Sequence, residues 1–357
     1  MYSVALLALS GLLISYSTGS SRSVPPVHCQ LSGTITGLGH RPVIFRYQQQ
    51  GVAHADTVRA TNDRFRYTAR PSDDGLIELV IDRTQWTTFW YEPGRLQVSG
   101  NAATPHQLLI TGTPNNDVLT QYNQQIEWPF EEKVQQGLRA GQSTVPLRQQ
   151  RVQKSLDFVG KHLASQAAAE ILLWQTRYDD TQLSTYQALY NQLPKSVQTT
   201  VQGREIAQRL IILRDMPVVG RTASNFTMPD TAGVATTLSS YQGRYVLLDF
   251  WGHWCGPCLR AMPTVSALHR QYGQQVAFLG VAAESPRDRQ PWLRAIRQHQ
   301  PAWPQLSELA GDESPVLTAY NITAFPTYLL LDPKGVVIMR TSDLTEVQKT
   351  MAGLSLK

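Results

Sequence analysis

Two thiols with two residues between them, in Trp254-Cys255-Gly256-Pro257-Cys258, are the residues of this chain best suited to chemistry. A thiolate is the reactive form of cysteine, and a helix N-terminus stabilises it through its free N–H groups and dipole. A first thiol so placed has a pKa of about 7 rather than about 8.5, so much of it is ionised at neutral pH. At this spacing the second sulfur reaches the first and can resolve a mixed disulfide by intramolecular attack. Gly256 permits a tight approach, and Pro257 brings a preset φ to the first helical turn without giving up a needed N–H. Other chemistries fit less well. A zinc site needs two more ligands, and no second Cys-x-x-Cys or His-x-His pair is present. Covalent haem needs His after the second cysteine, where Leu259 stands. A permanent structural disulfide is the remaining alternative, and a place between a strand and a helix argues against it.

The elements around the pair are those that could hold it there. Arg244-Tyr245-Val246-Leu247-Leu248-Asp249-Phe250-Trp251 is a nearly continuous apolar run bounded by turns, as expected of a strand buried on both faces. A helix follows from Cys258 to about Tyr272. Then come a buried strand over Val276–Ala283, a helix around Trp292 to Gln298, a strand over Thr327–Asp332, the turn Pro333-Lys334-Gly335 and a strand from Val336 to Arg340. Strands alternating with helices predict an α/β domain.

Upstream the patterns differ. From Gln30 to about Thr113, short runs such as Val43–Tyr47, Arg64–Thr68 and Leu76–Ile81 alternate apolar with polar between turn signals, predicting a small antiparallel sandwich or barrel over 28–113. From Pro114 to Asp215 the period becomes helical: Leu156, Val159, Leu163, Ala167, Ile171 and Trp174 recur three or four apart, then Leu183, Tyr186, Tyr190 and Leu193. Their aromatic members read as core. Met216-Pro217 and Gly220 mark a linker.

The apolar run Val4–Ile14, followed by small residues, reads as a signal peptide over 1–19, although no Lys or Arg precedes it; a buried N-terminal helix is the alternative. No other stretch is long and apolar enough to span a membrane. Of three cysteines, Cys29 stands apart. Pro26-Val27-His28 before it is wrong for a lipid anchor, so Cys29 reads as a lone thiol opening the first strand. The chain is 42% hydrophobic and 17% charged, enough to fold on its own cores. Its net charge of +5 comes from scattered residues with no basic run, which excludes a nucleic-acid arm.

Leu248-Asp249-Phe250-Trp251 through Cys258, with Pro263, resembles the thioredoxin superfamily. The longer frame resembles its extracytoplasmic TlpA/ResA-type branch: Phe226-Thr227-Met228-Pro229-Asp230, Leu238 through Trp251, Phe325-Pro326-Thr327 and Leu331-Asp332-Pro333-Lys334-Gly335. The resemblance covers 221–357 and implies an α/β thioredoxin fold there. The β-then-α region is similar, more weakly, to a domain of unknown function that precedes such modules in Bacteroidetes-type exported proteins. The resemblance makes Cys255 the exposed nucleophile, Cys258 the buried resolving thiol and Asp249 the buried strand carboxylate that takes the resolving thiol's proton. Burial would suit Asp249 to that role by raising its pKa, the alternative being a strand-end Asp satisfied by backbone N–H groups. It makes the bond before Pro326 cis, leaves the Phe325 backbone free to pair with substrate and keeps metals off the thiols. Trp254 becomes an aromatic lid, so Trp254, Gly256, Pro257, Phe325 and Pro326 are the expected substrate-binding set. Trp251 is read as packing and His253 as facing solvent, with tuning of the Cys255 thiolate as the alternative. Two departures stand out: Ala261 replaces a Glu of the branch, and Val276–Ala283 holds no Lys to partner Asp249. Both put cytochrome-maturation specificity in doubt.

The function expected is an exported thiol–disulfide oxidoreductase of the periplasm or cell envelope, with no cofactor beyond the Cys255–Cys258 disulfide and no metal. Gly-Pro between the cysteines resembles thioredoxin, near about −270 mV, rather than strong oxidants near about −120 mV, so the direction expected is reduction. The partners implied are protein disulfide clients and a membrane dithiol electron donor. One alternative is a thiol peroxidase, whose Pro-x-x-x-Thr-x-x-Cys pattern is missing before Cys255. Another is a binding module with an accessory redox domain.

Overall fold

The computed structural model describes residues 28–82 and 86–354. The leader read over 1–19 lies outside the described residues. Two compact units divide the chain, the first ending at Thr120 and the second beginning at Gln121.

Among the described residues of the first unit, eight strands form two sheets: β1 (Cys29–Thr36), β2 (Pro42–Gln49), β3 (Val52–Arg59), β4 (Arg64–Ala69), β5 (Leu76–Val80), β6 (Trp86–Trp90), β7 (Gly94–Asn101) and β8 (Leu109–Thr111). The orders are β4-β1-β7-β8 and β3-β2-β5-β6. Alternation in β1 turns Cys29, Leu31 and Ile35 inward, where they meet Phe45, Leu79 and Phe89 in one core. A sandwich results, as the alternating runs predict. It is not wholly antiparallel, because β1 and β7 run parallel. β3 carries no apolar alternation; most of its residues face solvent, and only its ladder with β2 makes it a strand. Helix α1 (Pro114–Tyr122) is tied to this unit by Asn116, whose side chain accepts from Trp90 N and donates to Trp90 O.

The second unit begins with helices α2 (Trp128–Arg139), α3 (Val145–Lys161), α4 (Gln166–Tyr178), α5 (Leu183–Gln192), α6 (Lys195–Gln198) and α7 (Val201–Asp215). The apolar period from Leu156 to Trp174 is one pattern but two helices. Ser165 starts α4 afresh, its hydroxyl accepting from the Ala167 and Ala168 N–H groups. Trp174 corrects the reading of the aromatics as core. It is 47% exposed and stacks on Tyr178, four residues on, along the outer stripe of α4.

The α/β region follows: β9 (Thr227–Pro229), β10 (Ala235–Thr237), β11 (Tyr245–Trp251), α8 (Gly256–Tyr272), β12 (Val276–Ala282), α9 (Arg289–His299), β13 (Gln305–Leu306), α10 (Pro315–Ala319), β14 (Thr327–Leu331), β15 (Val337–Thr341) and α11 (Leu344–Ala352). Five strands form one sheet ordered β13-β12-β11-β14-β15. β11 lies at its centre, parallel to β12 and antiparallel to β14. Alternation sends Leu248 and Phe250 into one core and Leu247 and Trp251 into the other. This is the thioredoxin fold the resemblance implies.

Candidate active site

Chain direction alone brings the two sulfurs to a helix start, because β11 hands over to α8 through Gly252–Trp254. Cys255 is the N-cap of α8 and takes an extended backbone. Its sulfur accepts from the Cys258 N–H at 3.1 Å, so the nucleophile position is bonded to a free N–H of the first turn. Cys255 and Cys258 are joined, with an S–S distance of 2.03 Å. Pro257 lies in the first turn, where its missing N–H costs nothing. A Cβ on Gly256 would meet only the flexible tip of Arg260, at 3.3 Å. Exposure of Cys255 is corrected. In this disulfide form it is 5% exposed and Cys258 3%. Phe325 packs on the cluster holding both sulfurs, and Trp254 stands edge-on to Phe325 with ring centroids 5.2 Å apart.

Asp249 follows from the strand's period. It shares a face with Leu247 and Trp251, which is the face that carries both cysteines. Asp249 is 4% exposed, and no hydrogen bond to its carboxyl exists among the described residues. Backbone N–H groups therefore do not satisfy it. Burial pushes its pKa up to about 7, since nothing nearby compensates the charged form. Its cross-strand partner Tyr328 is buried too, and burial together with the Asp249 charge raises that phenol.

His253 does not face solvent as expected. Its backbone N–H donates to Glu284 Oε1 at 2.7 Å, and its ring Nδ1 lies 2.6 Å from Glu284 Oε2. The Glu284 side chain is fully buried; burial raises its pKa, and the His253 bonds act against that rise. The next contact in line is Trp254 Nε1, donating to Ala283 O at 3.1 Å. The end of β12 thus grips the two residues before the nucleophile. Glu284 escaped sequence reasoning, although a carboxylate straight after the buried run Val276–Ala283 was a usable signal. Trp251 packs as expected, its Nε1 donating to Gln305 Oε1 at 2.9 Å.

The Phe325–Pro326 peptide bond is cis, and Thr327 Oγ1 donates to Ala324 O at 2.7 Å across that turn. No group of three or more metal-ligating side chains exists among the described residues.

The AhpC/TSA family profile matches residues 219–340, and a domain of unknown function, DUF4369, matches 29–119. The thioredoxin-like protein YneN of Bacillus subtilis is 30% identical over 119 residues, 33% of this chain and 68% of that protein. The thiol-disulfide oxidoreductase ResA of Geobacillus kaustophilus is 35% identical over 121 residues, 33% of this chain and 66% of that one. The chain thus spans about two thirds of the length of these curated relatives. A solved thiol-disulfide oxidoreductase from Bacteroides fragilis is 30% identical with a TM-score of 0.34, covering 37% of this chain and 99% of its own.

Proposed function

We propose, for a chain that belongs to the thioredoxin-like thiol–disulfide oxidoreductases of ResA type, that it is an exported reductant of protein disulfides. The observation that carries the reading is the pairing of a helix-capping Cys255–Cys258 disulfide with an uncompensated buried carboxyl, Asp249, on the same face of the sheet.

In the reduced enzyme the Cys255 thiolate, stabilised at the start of α8, attacks one sulfur of a client disulfide and releases the other as a thiolate. Cys258 then gives its proton to Asp249 and attacks the Cys255 sulfur. The second client thiolate leaves, and the enzyme is left with the Cys255–Cys258 bond. An Asp with its pKa near about 7 is matched to accept and return a proton at neutral pH. Trp254, Phe325 and Pro326 line the approach to the sulfurs, with Gly256 and Pro257 forming the turn between them. Outside the cytoplasm the cycle needs a membrane dithiol donor to reduce the pair again. Export is supported by the apolar run Val4–Ile14; no helix among the described residues is long and apolar enough to cross a membrane.

The test is capture and potential together. Cys258→Ser leaves a mixed disulfide stranded on Cys255, and the proteins trapped should be extracytoplasmic clients. The equilibrium potential against glutathione should lie near about −270 mV; a value above about −180 mV would make the enzyme an oxidant.

A further inference from the structure

We propose that a groove walled by α2, α3 and α4, and ending at the loop before Pro326, seats the polypeptide that flanks a client disulfide. The proposal rests on the disulfide-exchange reading above and names where the client lies.

The groove encloses about 930 Å³, and Thr323 and Ala324 form part of its lining. The residue after them is Phe325, which packs on the cluster holding both sulfurs. A chain lying in the groove therefore leaves it beside Cys255. The volume sits at the upper end of small-molecule pockets, roughly 300–1,000 Å³, but such pockets are mostly apolar. Amide, hydroxyl and charged side chains make up most of this lining, with Phe130 and Val134 among its few apolar members. Gln175 is 3% exposed, lines the groove, and its side-chain amide has no hydrogen-bond partner among the described residues. Its amide donor and acceptor open onto the groove, and the backbone of an extended peptide offers a partner for each.

Arg209 donates to Thr176 O at 2.8 Å and to Asn321 Oδ1 at 2.7 Å, bridging α4 to the loop. Arg340 donates to Tyr320 O at 2.8 Å and Asn321 O at 2.9 Å from the other side. The wall and the loop are held in one register before any client arrives, which lowers the ordering cost of binding.

The test uses the reduced full chain and synthetic disulfides: a tripeptide disulfide, and peptides of about 12 residues extending from the cysteine toward either end. One long series should show KM lower by about tenfold or more than the tripeptide. Val152→Trp, which places an indole in the groove, should remove that advantage. Gln175→Leu, which deletes the amide at similar volume, should shrink it and carries the test if Val152→Trp fails to fold. Equal KM for all lengths in the unsubstituted enzyme would overturn the groove and leave the redox reading intact. Failure to reduce any of the disulfides would overturn both. A dimer that Val152→Trp dissociates would assign the groove to a second copy and overturn the client proposal.

Discussion

Single residues set the proton and charge balance of this site. Asp249 has an ordinary pKa in the unfolded chain and one near about 7 when folded, so the native state binds the extra proton between those values. Its contribution to stability is therefore greatest below about pH 4, falls as pH rises toward about 7, and is constant above that. Asp249→Asn should remove this slope and make the protein more stable at pH 8 by an amount on the order of a few kcal/mol, read by urea unfolding at pH 4 and pH 8. The same variant should slow resolution of the mixed disulfide; unchanged single-turnover kinetics would discard Asp249 as proton acceptor. Glu284→Leu leaves the His253 backbone N–H without an acceptor and removes the partner of its ring Nδ1. It should cost about 1–3 kcal/mol, and an unaltered urea midpoint would show that the pair holds nothing. Asp249 was readable because an acid inside an apolar run is conspicuous. Glu284 was not singled out, because its role depends on how β12 ends opposite the loop before Cys255.

At the scale of elements, caps and periods decide where helices start, and contacts decide which strands form. Ser165 separates α3 from α4 inside an unbroken apolar period. Ser165→Ala should lower stability by about 1 kcal/mol, and Ser165→Asp should restore most of it, measured by thermal unfolding. Equal losses in both variants would mean that the hydroxyl's cap bond is not what holds α4. The same scale explains why β11 and β12 were plain from sequence while β3 was hidden. A strand buried on both faces announces itself as an apolar run, whereas β3 is defined by backbone pairing with β2 and leaves no side-chain pattern.

At the scale of the molecule, each compact unit has its own logic, and α2–α7 belong to the unit that carries the redox sheet. Arg209, on α7, bonds the helices to the α/β region through Asn321, whose backbone carbonyl Arg340 also holds, and burial lowers the pKa of both guanidinium groups. A chain beginning at residue 221 loses Arg209 and should melt lower than one beginning at 121; equal melting temperatures would show the helices to be passengers. The sequence by itself determined the disulfide pair, the strand and helix that present it, the buried acid and the sandwich ahead of it. Each of these is written in local spacing, where periodicity and residue type act over a few neighbours. Only the tertiary structure decided that His253 is clasped by Glu284, that Cys255 is covered in its oxidised form, and that Gln175 faces a groove ending beside Pro326. Those facts arise where segments far apart in the chain meet, and no local pattern fixes which side chains come face to face there.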